Sequence, residues 1–305
     1  MLDRRQLLTG LAGGLLGALA VARRAAAQQP GVVALTDRLS LVTSGGTNVL
    51  ALSATDGLIV VDSGAPESTE RLMASLRQVA AGGRIRTAFN THFHLENTGA
   101  NDVLRQTGAD IVAHENTRIW MATPVWSPAE DRYRPGRPKA AHPTSTFRVD
   151  GSMTAGAERI DYGYLIEAHT SGDIYVFFRG ANVLAAGDVA APARDPELDF
   201  LTGAWIGGRA DALARLVELS NADTRIVPGF GPVMTRAQLQ SERDMMKAIY
   251  DRTVDRVREG DSADDMLDAG VLNGLPRTLN DPRRFLYDLQ KGLWAHHNKL
   301  SPNVV

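Results

Sequence analysis

Short apolar runs bounded by turn residues fill the stretch from Leu39 to Asp62. Leu39-Ser-Leu-Val-Thr-Ser44 and Val49-Leu-Ala-Leu-Ser-Ala54 flank Gly45-Gly46, and Leu58-Ile-Val-Val-Asp62 follows Asp56-Gly57. These patterns predict three strands joined by tight turns. From Ser68 to Ala80 the spacing is that of a helix, with Leu72, Met73, Leu76 and Val79 on one face and Gly82-Gly83 as the stop. A strand over Arg84–Phe89, a short helix from Asp102 to Gln106 ended by Gly108, and a strand at Ile111-Val-Ala113 continue the series. Strands and helices that alternate in this way predict an α/β fold.

Residues 121–145 interrupt the pattern. Pro124, Pro128, Pro135, Pro138 and Pro143 are interspersed with Trp126, Tyr133 and several arginines, which predicts a long irregular loop acting as a lid or substrate wall, or else as a surface insertion. Strands resume near Phe147, at Arg159-Ile-Asp161, at Tyr164–Ala168, at Ile174–Phe178 and at Val183–Ala186. A helix near Ala210–Leu219 precedes a last strand, Arg225-Ile-Val227. Beyond Thr235 the chain reads as helical. Gln238–Glu259 is amphipathic through Met245, Ile249, Val254 and Val257. Asp281-Pro282 opens another helix whose buried face holds Phe285, Leu289, Leu293 and Trp294.

Composition narrows the chemistry. The chain has 305 residues, enough for one large domain or two small ones, with 44% hydrophobic and 22% charged residues. Its net charge of −2 gives no electrostatic case for nucleic acid or an anionic membrane. There are no cysteines, so disulfides, thiolate ligands and a cysteine nucleophile are excluded, and any transition-metal site must use histidines and carboxylates. The N-terminus reads as a targeting segment over residues 1–27: Arg4-Arg5-Gln6-Leu7-Leu8 is a twin-arginine pattern, Leu7–Val21 is apolar, and Ala25-Ala26-Ala27 suits cleavage. The apolar run is too short and glycine-rich for a comfortable membrane span. Cleavage would take four arginines and one aspartate from totals of 33 basic and 35 acidic residues, leaving a charge of −5. The expected location is the periplasm.

The candidate chemistry centres on Asn90-Thr-His-Phe-His-Leu-Glu-Asn97, directly after the strand ending at Phe89. In extended backbone His92, His94 and Glu96 share one side, with Phe93 and Leu95 on the other. Neutral imidazoles held together at a strand end suit zinc or iron. Of the other histidines, His114 reads as a structural hydrogen-bonding residue, His142 as exposed, and His296-His297 as cations near a helix C-terminus.

This stretch resembles the His-x-His-x-Asp-His motif of the metallo-β-lactamase superfamily, with Glu96 and Asn97 in the last two positions. Four further segments resemble its motifs in order: Val60-Val-Asp-Ser-Gly64, Ala168-His-Thr-Ser-Gly-Asp173, Ala186-Gly-Asp188 and Val227-Pro-Gly-Phe-Gly-Pro232. The resemblance implies a four-layer αββα sandwich over residues 28–235, with a helical C-terminal extension over 236–305 that packs on the core or on a second subunit. It implies a first metal site of His92, His94, His169 and Asp188, all present. The second site would draw on positions 96, 97, 188 and 230, which hold Glu96, Asn97, Asp188 and Phe230, and so lacks its histidines. The expectation is one zinc ion per chain, with iron as the other metal considered. The implied reaction is hydrolysis of a small-molecule ester, thioester, amide or lactone by metal-bound hydroxide. Asp188 would ligate the metal or anchor the water. Glu96 would act as general base or as partner to a ligand histidine. Two other readings stand beside it: a mononuclear iron oxidoreductase like the superfamily's persulfide dioxygenases, using His92, His169 and Asp188, and a non-catalytic metal-binding relative.

Overall fold

The computed structural model describes residues 31–80, 83–127 and 132–300, so the expected targeting segment 1–27 lies outside the described residues. Seven strands form the first sheet: β1 (Val32–Ala34), β2 (Leu39–Ser44), β3 (Thr47–Ala54), β4 (Gly57–Val61), β5 (Ile85–Phe89), β6 (Asp110–His114) and β9 (Ser145–Phe147), in that spatial order. Pairing is antiparallel from β1 to β4 and parallel from β4 to β9. The second sheet runs β10 (Asp150–Ala155), β11 (Glu158–Tyr164), β12 (Ile174–Phe178), β13 (Val183–Gly187) and β14 (Arg225–Pro228). A small hairpin, β7 (Val125–Ser127) with β8 (Arg132–Arg134), stands apart.

The alternating faces of a strand explain how the layers stack. Alternate residues of each central strand enter different cores. Leu50, Leu52, Ile59 and Val61 of the first sheet meet Ile174, Val176, Phe178, Val183 and Ala185 of the second. Their neighbours Val49, Ala51, Leu58 and Val60 face outward onto Leu72, Met73 and Leu76 of helix α1 (Thr69–Val79). On the far side, Tyr175, Phe177, Leu184 and Ala186 pack under α5 (Ile206–Leu219), α6 (Arg236–Glu259) and α8 (Pro282–Leu300). The result is the expected αββα sandwich, and the helices after Thr235 share one core with β12–β14. Between these elements lie α2 (Leu95–Thr98), α3 (Asn101–Gln106), α4 (Glu115–Ala122) and α7 (Ala263–Asp268). Among the described residues no helix is long and apolar enough to cross a membrane.

Several local expectations need correction. Residues 121–145 are not wholly irregular: they end α4 and hold the β7–β8 hairpin and β9. The strand expected over Tyr164–Ala168 stops at Tyr164, because the chain turns through Glu167 (φ 46°) and Leu165 N–H bonds back to Asp173 C=O. Helix α7 went unpredicted, although its capping box of Ser262 and Asp265 is visible in sequence. Trp294 is not on the buried face of α8 but 64% exposed.

Candidate metal centre

Five chain segments reach one edge of the sandwich. β4, β5, β13 and β14 end there, and β12 begins there. Backbone bonds stitch this edge across the two sheets: Ile174 N–H to Thr91 C=O at 2.8 Å, and Asn48 N–H to Gly229 C=O at 2.8 Å. The Asn48 side chain adds bonds to Pro228 and Gly231 C=O. Two glycines permit the close approach. Gly187 has φ 52°, and any Cβ there would come within 2.8 Å of Thr91. A side chain at Gly229 would collide with the Asp188 carboxylate.

His92, His94 and His169 converge at this edge, each offering a ring nitrogen within 4.8 Å of the others. The rings stand nearly perpendicular, at 83–86°, with centroids 4.7–4.9 Å apart. Two of the rings are held from behind. His92 Nδ1 lies 3.0 Å from Thr91 Oγ1, and that hydroxyl donates to Asp62 Oδ2 at 2.8 Å. The hydroxyl must therefore accept from His92 Nδ1–H, which leaves Nε2 with its lone pair. His94 Nε2 lies 3.2 Å from Asp199 Oδ2, which frees Nδ1. His169 is placed through its backbone, whose N–H donates to Asp173 Oδ2 at 2.7 Å; Asp173 Oδ1 stands 3.5 Å from Nδ1 as an ion-pair contact, and neither ring nitrogen has a hydrogen-bond partner. Each ring thus offers a buried nitrogen with no hydrogen-bond partner. Buried polar atoms are rarely left unmatched. Three orphans aimed at one point fit a cation with nitrogen preference, so the donor set suits a transition metal.

The electrostatics agree. Burial, and then the neighbouring histidines, push the His92 pKa well below its ordinary value, so it is a neutral donor. Burial opposes protonation of His169, yet Asp173 and Glu197 outweigh it and lift the pKa to about 10. A field that holds a proton so firmly is one that favours a metal cation in the same place. Burial likewise raises Asp62 to about 7, against the bonds from Thr91 and Asn97 that favour its carboxylate.

The other predicted site residues lie further out. Asp188 Oδ2 is 4.0 Å from His92 Nε2 and is ion-paired with Arg194, and its Oδ1 is buried and unpartnered. Glu96 does not share an extended face with the histidines, because alternation ends at Thr91 and Leu95 begins α2. It lines instead a cavity of about 450 Å³ that opens beside His94. Phe93 and Leu95, expected on the opposite side, line the same cavity together with Trp120, Phe200 and Leu201. The segment after α4 supplies another wall through Thr123, Pro135 and Arg137. Tyr133 is 66% exposed, the side chain of Trp126 lies outside the described ones, and Tyr162 packs in the core against Phe89. Outside the centre, His114 bonds to Arg148 C=O through Nε2, as expected. His142, expected exposed, is half-buried and bonds to Arg137 C=O, and His296 stacks on Trp205 at 3.7 Å with its Nδ1 3.3 Å from Glu167 Oε2.

Sequence reasoning missed Glu197, Asp199, Arg194 and Arg209. Glu197 Oε2 lies 3.9 Å from His169 Nε2, and the imidazole holds its carboxyl well below the usual range. Arg209 is fully buried and donates to the backbone carbonyls of Glu197 and Asp188, fixing the loop that carries both.

With this geometry in place, the comparisons are specific. The family model of the metallo-beta-lactamase superfamily matches residues 42–267, and the chain belongs to that superfamily. The chain is 21% identical to a metallo-beta-lactamase type 2 of Bacillus cereus over 201 residues, 66% of this chain and 73% of the relative. It is 25% identical to the 2,4-dinitroanisole O-demethylase subunit alpha of Nocardioides sp. (strain JS1661) over 234 residues, 76% of this chain and 66% of the relative. A metallo-beta-lactamase structure from Pontibacter korlensis superposes with TM-score 0.59 at 20% identity, covering 71% of this chain and 98% of that one. The BLEG-1 B3 metallo-beta-lactamase gives TM-score 0.58 at 20% identity, covering 68% and 99%. Both share the fold. Membership suggests a metal-dependent hydrolase, and the His92/His94/His169 cluster is able to bind the metal.

Proposed function

We propose that this protein is an exported hydrolase that holds one metal ion, zinc, on His92, His94 and His169 and acts on a small molecule carrying an ester, thioester, amide or lactone. The observation that carries this reading is the convergence of three buried histidines, each with an unpartnered ring nitrogen, two of them fixed by a hydrogen bond behind the ring. Zinc bound there would lower the pKa of a water ligand toward ~7 and polarise a carbonyl. The chain's own residues do the rest. Phe93, Trp120 and Phe200 offer an apolar wall for the substrate body. Of the four carboxylates that line the cavity, Asp199 is bonded to His94 and Asp288 to Arg284, which leaves Glu96 and Glu197 as the candidates for proton transfer. Asp188 anchors the inner edge of the centre. The ion pair of Asp188 with Arg194 weighs against a two-histidine, one-carboxylate iron site.

Elemental analysis of the purified mature protein, followed by turnover on a panel of esters, thioesters, lactones, β-lactams and 2,4-dinitroanisole, tests the reading. About one zinc per chain and turnover are expected, with both lost in His94→Ala and His169→Ala. Full metal content in both variants would refute the ligand assignment. Export rests on Arg4-Arg5 and the apolar run after them. Replacing both arginines with lysine should leave precursor in the cytoplasm, and an unchanged periplasmic yield would remove the claim.

A further inference from the structure

Arg194 sits in the segment after β13, in none of the motif-like stretches, yet its guanidinium reaches the heart of the centre. It is ion-paired with Asp188 Oδ2, and its Cζ lies 3.6 Å from the centroid of the Phe230 ring. The Asp188 side chain is 2% exposed and that of Arg194 35%, so the cation enters from the surface and closes over a buried carboxylate. Its charge also acts on Glu197, on the cavity side. The guanidinium thus lies between Asp188 and the aromatic face, beside the three histidines.

We propose that Arg194 supplies the second positive charge of this centre as a fixed guanidinium, and thereby reserves the site for a single metal ion. The proposal rests on the metal-site reading above. A second divalent ion near Asp188 would have to displace a guanidinium that is paired on one side and stacked on the other, and until then would suffer its repulsion. The Phe230 ring supplies a π face for Arg194 and no donor atom. Asn97 donates its Nδ2–H to Asp62 Oδ2 at 3.0 Å, and the buried oxygen it leaves free is a neutral amide, a poor ligand for a transition metal. Arg194 is a positioning residue: by binding Oδ2 it fixes Asp188 with Oδ1 buried and free.

The consequence is counterintuitive. Restoring histidines at positions 97 and 230 will not by itself create a second site while Arg194 remains. The test is zinc content per chain after dialysis against trace zinc, with affinities from chelator competition. Wild type and Asn97→His/Phe230→His should both hold one ion. Adding Arg194→Ala to that pair should raise the count toward two, and adding Arg194→Lys should keep it at one, since lysine keeps the charge. Circular dichroism on each variant establishes that the fold is retained. Two ions in Asn97→His/Phe230→His with Arg194 present would overturn the proposal, as would one ion after Arg194→Ala is added. No zinc on wild type would instead defeat the metal reading, and this proposal with it.

Discussion

Thr91→Val isolates one link of the chain that orients His92. Valine keeps the β-branched shape but removes the hydroxyl, and with it two bonds: the acceptor for His92 Nδ1–H and the donor to Asp62 Oδ2. Asp62 keeps the Thr91 N–H at 2.8 Å and Asn97 Nδ2 at 3.0 Å, so the carboxylate is not stranded. The larger loss falls on the imidazole. Its Nδ1–H is left buried without an acceptor, a cost of about 1–3 kcal/mol. The ring escapes that cost only by moving the proton to Nε2, the nitrogen the metal needs. Removing such an outer partner typically weakens metal binding by about 10–100-fold, or about 1.4–2.8 kcal/mol. Zinc affinity by competition with a chromophoric chelator measures it directly. Thr91→Ser retains the hydroxyl and should bind as wild type does. Equal zinc affinity in Thr91→Val and wild type, with the fold intact, would show that the Asp62–Thr91–His92 relay does not set the tautomer.

Two further outcomes follow from groups away from the metal. His114 accepts the Asn116 N–H at the start of α4 through Nδ1 and bonds to Arg148 C=O through Nε2, and burial lowers its pKa, so the folded state prefers the neutral ring. Its contribution is complete above its unfolded pKa of about 6.5 and lost as pH falls below it, by about 0.5–2 kcal/mol for the broken cap; thermal melts of wild type and His114→Asn from pH 7.5 to 5 should differ in slope, and parallel curves would refute the assignment. Arg209→Met should destabilise the fold by about 3–5 kcal/mol, because it removes the cation 4.0 Å from the buried Glu242, leaving that carboxylate only the Ala191 N–H, and frees the Asp188 and Glu197 carbonyls; a denaturant midpoint close to wild type would contradict that.

The strands were legible because central segments such as Val49–Leu52 and Ile174–Phe178 are apolar runs buried on both faces, whereas the four-layer sandwich was legible through the resemblance of the ordered motifs. His92 and His94 were legible from their spacing after a strand, and His169 through the resemblance of Ala168–Asp173 to a superfamily motif. Glu96 was misplaced for a physical reason: strand alternation was carried past Thr91 into a segment that turns and begins α2, where the period changes. Asp199, Glu197 and Arg194 left no trace because they lie in the long connection between β13 and α5, which has no periodicity. Their value comes only from where tertiary packing brings them. Trp294 and His296 show the same limit in a helix. Periodicity located the apolar stripe of α8, but whether a residue at its margin meets solvent or a partner such as Trp205 depends on the neighbouring element.

The three histidines are anchored by separate parts of the fold. Each histidine answers to a different carboxylate on a different segment: Asp62 after β4 through Thr91, Asp199 in the loop fixed by Arg209, and Asp173 just before β12. No single loop movement can misalign all three rings. Preorganisation of this kind spares the ion the cost of ordering its ligands. It also gathers negative charge around a buried spot, since Asp188 and Glu197 crowd the same edge. One divalent ion cannot balance five carboxylates by itself. Arg194 against Asp188, and the buried Arg209 against the loop backbone, supply fixed cations at the rim without occupying the tripod. On the proposed reading the second site has lost more than ligands: the positive charge that an ion would bring there is already covalently part of the chain.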